Sequence, residues 1–164
     1  MRLVIGSIVI LSLIVLFLFA LFPSNISVTR MVQINSPEEK IMDSISDLRT
    51  WASWNEFVHS NSVKNHPDAK PDSVSADYIR VDGNEISRSG VKRNDVYTTW
   101  TRGNRAFTCQ FMMDDSKGMT VVVWTMNFNI KWYPWEKLAS MFYDRQLGPL
   151  MEKSLVQLRD KLER

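Results

Sequence analysis

Cysteine and histidine are scarce in this chain of 164 residues, and their scarcity excludes several kinds of site. Cys109 is the only cysteine, so no disulfide can form within the chain. It lies in an alternating apolar segment, where a buried, inert thiol is more common than a reactive one. The two histidines, His59 and His66, lack the spacing of zinc ligands. We therefore expect no metal site.

Runs of one charge and phosphate-binding loops are absent as well. Lys and Arg number 20 and Asp and Glu number 18, and no basic run is long enough to form a nucleic-acid face. Neither a glycine-rich phosphate loop nor a Ser-His-Asp pattern occurs. These absences predict no nucleic-acid partner and no cofactor, and they leave catalysis without a recognisable motif.

The sequence does contain one long hydrophobic run, residues 3–22, in which twenty positions carry no charge. At about 1.5 Å per residue, a helix of this length spans the ~30 Å hydrocarbon core of a bilayer. The alternative is a cleaved signal peptide, but the run is longer than a signal peptide's apolar region, and Phe22 stands where a small residue is expected. Arg2 flanks the N-terminal side, which favours a cytoplasmic N-terminus and an exported domain. We predict an uncleaved membrane anchor.

The other end of the chain combines a long apolar strand with a striped helix. Residues 120–130 are typical of a buried strand, and the final helix carries apolar residues at spacings of four, three and four, namely Met151, Leu155, Leu158 and Leu162. Such a helix has to bury its stripe, and the preceding strands are the large partner available. Gly148-Pro149 is expected to break or kink the helical region between the aromatic segment 132–143 and this stripe.

The segments between these ends predict a strand, two small helices and a meander. Alternation over residues 27–34 predicts the first strand. Ser36 as a cap, Pro37 in the first turn and Glu39 in a capping box predict a helix start. A second helical piece is predicted for residues 49–57. Short turns then separate strands at 74–81, 85–91, 96–102, 105–113 and 120–130.

Four segments, residues 29–39, 46–55, 122–126 and Gly148-Pro149 with the helix that follows, resemble the polyketide cyclase/dehydrase and lipid-transport group of START-related (SRPBCC) proteins. The resemblance is closest to membrane-anchored bacterial members. It implies an α+β helix-grip fold, in which a curved antiparallel sheet of about six strands wraps a long C-terminal helix and two small helices follow strand 1. The expected division is a transmembrane anchor and hinge at 1–26 and the helix-grip domain at 27–164, on the periplasmic side of a bacterial inner membrane.

Strand alternation places a set of large apolar side chains on the sheet face toward the final helix. There they either fill the core or line an open cavity, and both interpretations stand at this point. The candidate lining residues are Trp54, Trp100, Phe107, Phe111, Met113, Trp124, Met126, Phe128, Met151 and Leu155. Arg102, at the end of a strand, is a candidate polar anchor for an acidic head group, with solvent exposure as the alternative.

The leading functional hypothesis is a membrane-anchored domain that binds a small apolar or amphipathic ligand without chemistry. An enzyme of the cyclase or dehydratase kind is the alternative and requires a buried ionisable group in the cavity. A third hypothesis is a membrane-proximal interaction module, which requires an exposed apolar patch in the aromatic segment 132–143. Trp135 and its neighbours there are candidates for contact with the membrane interface, for a lid, or for plain packing.

Overall fold

The computed structural model describes residues 2–21, 24–59, 73–81, 83–116, 119–131 and 133–164, with the side chains of the first helix described for residues 4–17. Its elements are α1 (Arg2–Leu21), β1 (Asn25–Ile34), α2 (Glu38–Ser46), a 3₁₀ helix (Leu48–Ser53), β2 (Ser73–Val74), β3 (Tyr78–Val81), β4 (Asn84–Lys92), β5 (Asp95–Arg102), β6 (Arg105–Ser116), β7 (Met119–Asn129), α3 (Pro134–Ser140) and α4 (Tyr143–Leu162).

The described strands form one antiparallel sheet of seven strands in the order β1-β7-β6-β5-β4-β3-β2. The first and last long strands of the chain are neighbours, because β1 pairs with β7 from Asn25↔Asn129 to Ile34↔Thr120. The remaining strands follow as a meander. Gly103 adopts a φ of 58° in the two-residue loop that joins Arg102 to Arg105, which confirms the hairpin predicted there.

Helix α4 packs on the concave face of the sheet, as predicted. Its stripe residues Met151, Leu155 and Leu158 are buried in one apolar core with side chains of the strands, including Phe111 and Trp124. The observed arrangement of a curved antiparallel sheet around a long C-terminal helix confirms the helix-grip prediction.

Three local predictions were wrong. The segment 74–81 is not one strand, because a turn at Ser75, where the backbone N–H bonds to the Tyr78 carbonyl, divides β2 from β3 and raises the strand count to seven. Ser36 makes no cap, since Pro37 occupies the N-cap position and no side chain bonds the first amides of α2. Gly148-Pro149 does not break the helical region, since both residues lie inside α4, and the interruption falls at residues 141–142 instead.

Helix α1 covers 20 residues, and all of its described side chains, 4–17, are exposed. Measured over the described positions, none of the helices reaches the combined length and apolarity taken to define a membrane span. The folded region begins at Asn25, two residues before the predicted boundary at 27, and the division into anchor and domain stays a prediction.

The side chain of Arg30 explains why residue 148 of α4 is a glycine. Arg30 reaches from β1 across the helix, with Nε at 2.7 Å from Oε1 of Glu152 and Nη2 at 2.8 Å from Oδ1 of Asp144. Residues 144, 148 and 152 share one helix face at intervals of four. A Cβ at Gly148 would lie 2.1 Å from Nη2 of Arg30, so only glycine leaves room for the guanidinium. This contact between β1 and α4 accounts for a glycine at position 148, although glycine has poor helix propensity.

Replacing Gly148 by alanine therefore has opposite effects in two backgrounds. In the native chain, Gly148→Ala displaces the guanidinium and breaks its ion pairs, and we expect the free energy of unfolding to fall by about 1 kcal/mol. In an Arg30→Ala background the same substitution improves helix propensity, and we expect the free energy of unfolding to rise by about 1 kcal/mol. Denaturant titration of the four variants in detergent measures the coupling, about 2 kcal/mol. Equal signs in both backgrounds would contradict the contact.

Cys109 lies in β6 and is buried, as the sequence indicated. Burial raises the pKa of its thiol far above the ordinary value, and the proximity of Trp124 and Thr98 offsets only part of this effect. Because the thiolate is the reactive species, we expect iodoacetamide to leave Cys109 unmodified in the native protein and to modify it in concentrated guanidinium chloride. Rapid alkylation of the folded protein, followed by intact-mass measurement, would contradict this burial.

Candidate ligand cavity

A cavity of about 310 Å³ lies between the sheet and the first half of α4. The residues around it come from the helical turn at 56–59, from strands β3 to β7 and from α4. They are Phe57, Val58, Val81, Asn84, Glu85, Ile86, Trp100, Thr101, Arg102, Phe107, Met126, Phe128, Tyr143, Gln146, Leu147 and Leu150.

Aromatic rings form one wall of the cavity. The rings of Phe107 and Phe128 have centroids 4.7 Å apart, and the ring of Tyr143 lies 4.9 Å from that of Phe128 in an edge-to-face arrangement. Trp100 adds a further contact to Phe107, at 5.6 Å. Strand alternation explains the grouping, since Trp100 and Phe107 are register partners on β5 and β6 and therefore share a face. The wall favours apolar ligand atoms.

Polar side chains gather at one end of the cavity. Arg102 and Asn84 are register partners at the ends of β5 and β4, and Glu85 follows directly. The Glu85 carboxylate binds Arg80, and this hydrogen bond holds the pKa of Glu85 below its ordinary value. Arg102 is exposed at this end of the cavity, and within the described ranges its side chain makes no hydrogen bond or ion pair with another residue.

The structure divides the predicted lining residues into two groups. Trp100, Phe107, Met126 and Phe128 line the cavity, and Arg102 lies at its polar end. The others are buried in the core instead, namely Trp54, Phe111, Met113, Trp124, Met151 and Leu155. The inner face of the sheet is thus both a filled core and a cavity lining, in different halves. Side chains fill the half beneath the end of α4, and the half beneath its start is open.

A cluster of stacked and edge-on rings fills the second half. Phe111 and Trp124 stack with centroids 4.8 Å apart, and Trp51 packs on Trp54 at 5.3 Å. Both tryptophans of the small helices are fully buried, and the Trp51 indole N–H donates to the Ile45 carbonyl at 2.9 Å. They therefore seat the small helices against the core. The Trp124 indole N–H lies near the Cys109 thiol but makes no well-formed hydrogen bond with a described group.

Several cavity residues were missed by the sequence analysis. Leu147 and Leu150 continue the apolar stripe of α4 toward its start, and their spacing to Met151 and Leu155 contained the signal. Because a break was predicted at Gly148-Pro149, the two leucines were not assigned to this stripe. Phe57 follows Trp51 and Trp54 at spacings of three in the helical piece predicted for residues 49–57, but its place at the cavity was not predicted.

Contacts of Glu56 hold this turn in place. Its carboxylate, which is nearly buried, accepts hydrogen bonds from Lys153 Nζ at 2.8 Å and Gln157 Nε2 at 3.3 Å. Its backbone N–H donates to Ser154 Oγ at 2.8 Å. The next residue, Phe57, lines the cavity, so these bonds from α4 orient the side of the cavity that the turn provides. Glu56 itself is not among the lining residues.

The chemistry available in the described cavity is limited. Glu85 is its one carboxyl group, and a carboxylate with a lowered pKa is a weak general base. Across the described residues, no three His, Cys, Asp or Glu side chains come close enough to hold a metal ion. The arrangement is suited to holding an amphipathic molecule, with rings around its apolar part and a cation beside its polar part.

Comparison with solved structures places this fold among known ones. DynU16, from the dynemicin biosynthetic locus, is 16% identical with a TM-score of 0.56, over 84% of this chain and 47% of DynU16. The chain thus spans about half the length of that protein. CalU16 from Micromonospora echinospora is 10% identical with a TM-score of 0.54, over 81% of this chain and 71% of CalU16. A START superfamily protein from Mycobacterium smegmatis is 16% identical with a TM-score of 0.52, over 84% and 97%.

At these identities the similarity concerns the fold alone. No curated protein matches the chain. The sequence profile of one family, described as polyketide cyclase / dehydrase and lipid transport, matches residues 25–163, which is the whole region from β1 to the end of α4. The chain therefore belongs to the polyketide cyclase/dehydrase and lipid-transport family, with the helix-grip fold of START-like proteins.

Proposed function

We propose that this domain binds a small amphipathic molecule with an anionic head group, and that it does so at a membrane. The observation that carries the proposal is the cavity of about 310 Å³ with aromatic rings on its wall and the uncompensated charge of Arg102 at its mouth. Binding is the leading function because it needs only this combination of surfaces.

The size of the cavity limits the ligand. Ligand sites in proteins occupy roughly 300–1,000 Å³, so this cavity lies at the lower end of that range. A single medium-length acyl chain or a compact ring system fits such a volume, whereas a two-chain phospholipid requires more. The rings of Phe107, Phe128 and Tyr143 supply contact area for the apolar part.

Arg102 selects the head group. A guanidinium presents a planar set of donors that matches a carboxylate or phosphate, and it stays charged at physiological pH. Glu85, the one carboxylate among the described lining residues, is already bound to Arg80, so it does not neutralise Arg102. An acidic head group is therefore favoured over a neutral one.

Membrane attachment is the second part of the proposal. The described side chains of α1 include large apolar residues that are all exposed, from Val4 to Phe17. A helix that is apolar around its whole circumference needs a nonpolar environment. We propose that residues 3–22 provide this attachment, that the N-terminus is cytoplasmic, and that the domain lies on the exported side, as the position of Arg2 favours.

Acid–base catalysis has less support. It requires an ionisable group poised in a dry part of the cavity, and the described lining offers Glu85 at the mouth, where Arg80 stabilises its charged form. Cyclase or dehydratase activity consequently ranks below binding.

Photolabelling of the full chain in lipid nanodiscs tests the binding proposal. The probes are a diazirine-bearing decanoic acid and the corresponding alcohol, and the readout is the labelling of cavity residues, such as Met126, mapped by mass spectrometry. We expect the acid to label the cavity, and Leu147→Trp, which fills it, to abolish labelling by both probes. Labelling of α1 alone, with none in the cavity, would contradict binding.

The head-group prediction uses a matched pair of arginine variants. Arg102→Gln removes the charge at the mouth, and Arg105→Gln removes the charge of its register partner across the hairpin, which is already paired with Glu136. We expect Arg102→Gln to raise the acid concentration needed for half-maximal labelling about tenfold, or about 1.4 kcal/mol, and to leave the alcohol unaffected. Arg105→Gln should change neither. Equal effects of the two variants on both probes would exclude a specific role for Arg102.

Sidedness has its own test. With the domain exported, protease added to intact spheroplasts digests the region after β1, while a tag fused before Met1 stays protected. Full protection of the domain until the cells are lysed would place it in the cytoplasm and contradict the proposed orientation.

A further inference from the structure

Helix α3 has an inverted distribution of polar and apolar side chains. Trp135 is 65% exposed and Leu138 is 49% exposed, whereas Lys137 is 5% exposed and Ser140 is 4% exposed. Soluble domains normally bury the apolar face of such a helix and leave its lysine in water. The exposed side chains Trp135, Leu138, Met141 and Phe142 are called the α3 apolar face below.

The surroundings of the α3 apolar face indicate what covers it. The ring of Tyr133 stacks on that of Trp135 with centroids 4.9 Å apart, which makes an amphipathic pair at the start of the helix. Tryptophan and tyrosine are enriched where proteins meet the head-group region of a bilayer. Exposed bases, Lys131 and Arg145, stand on either side of α3 in sequence, and such bases attract anionic lipid head groups.

The charged residues near the α3 apolar face also favour an anionic lipid surface. The two acids closest in sequence are both engaged, since Glu136 pairs with Arg105 at 3.4 Å and Asp144 pairs with Arg30. Their charges are therefore offset within the domain, whereas Lys131 and Arg145 form no ion pair with a described residue. An anionic surface complements these two bases.

Helix α1 decides between a lipid surface and a protein partner. It contacts α3, and its described side chains, which are apolar apart from Ser7 and Ser12, are all exposed. A folded partner or a second copy covers one side of a helix, whereas a bilayer covers all sides. Because the two exposed apolar surfaces adjoin, one environment accounts for both.

We propose that the α3 apolar face inserts into the head-group region of a bilayer that contains anionic lipids. The inference rests on the membrane attachment proposed for α1 and is independent of the cavity ligand. It also fixes an orientation of the domain. A cleft of about 270 Å³ beside Glu136 of α3 shares Phe107, Phe128 and Tyr143 with the ligand cavity, so insertion brings that side of the cavity next to the lipid.

The test uses the full chain in vesicles of phosphatidylcholine and phosphatidylglycerol and an environment-sensitive fluorophore attached to one introduced cysteine. Leu138→Cys places the label on the α3 apolar face. Val91→Cys is the matched control, since Val91 is an exposed apolar residue at the opposite end of β4 from Asn84 and Arg102. The native Cys109 is buried and is not expected to react with the fluorophore, so the unsubstituted chain serves as the unlabelled control.

We expect lipids brominated on their acyl chains to quench the label at position 138 severalfold more than the label at position 91. Replacing phosphatidylglycerol by phosphatidylcholine, or adding salt, should reduce this difference, because both weaken the attraction of Lys131 and Arg145.

Three results would overturn the inference. Equal, weak quenching at both positions, in protein that floats with the vesicles, would be consistent with membrane attachment by α1 and would contradict insertion of the α3 apolar face. Protein that does not float with the vesicles would remove both. Shielding of the label at position 138 that grows with protein concentration at constant lipid would assign the face to a second copy of the chain.

Discussion

The fold depends on how α4 is held along its length. Its second half lies directly on the sheet, where Met151, Leu155 and Leu158 meet the stacked rings of Phe111 and Trp124. Its first half is fixed from the side, because Arg30 of β1 lies on Gly148 between two acidic residues of the helix. The side contact allows this half to stand over the sheet without filling the space below it. The cavity occupies that space.

Polar contacts set the limits of the cavity in the same way. The hydrogen bonds from Lys153 and Gln157 to Glu56 tie the turn at 56–59 to α4, and they direct Phe57 toward the cavity. At the opposite end, Glu85 is the only carboxylate among the described lining residues, and it is bound to Arg80. It therefore does not pair with Arg102 in place of a ligand. Ion pairs on partly exposed groups add little stability, so their main effect here is to orient side chains.

Periodicity in the sequence predicted the elements whose burial is regular. The stripe of α4 and the alternation of β1 both appear in the structure, because each is a local pattern repeated over several residues. The short turn predicted between strands 96–102 and 105–113 appears as the loop at Gly103-Asn104. The resemblance to the family then supplied the order of the layers. Together they identified the sheet face on which the cavity lies.

The failures came from contacts between distant parts of the chain. Gly148-Pro149 was expected to break or kink the helical region, but α4 continues through it, and Arg30, more than a hundred residues earlier, packs on Gly148. Strand alternation assigned Trp124 and Trp100 to the same face and could not tell that one is packed in the core and the other lines a cavity. That difference depends on the distance between α4 and the sheet, which no local pattern encodes.

The two proposed sites lie at one end of the domain, where the mouth with Arg102, the shared ring wall and the α3 apolar face come together. The most direct test of the central claim is native mass spectrometry of the full chain purified from its own host, beside the cavity-filling variant Leu147→Trp. We predict that the native protein retains a small acidic, apolar molecule and that the variant does not. Retention of the same molecule by both proteins, or by neither, would contradict a ligand site beneath the first half of α4.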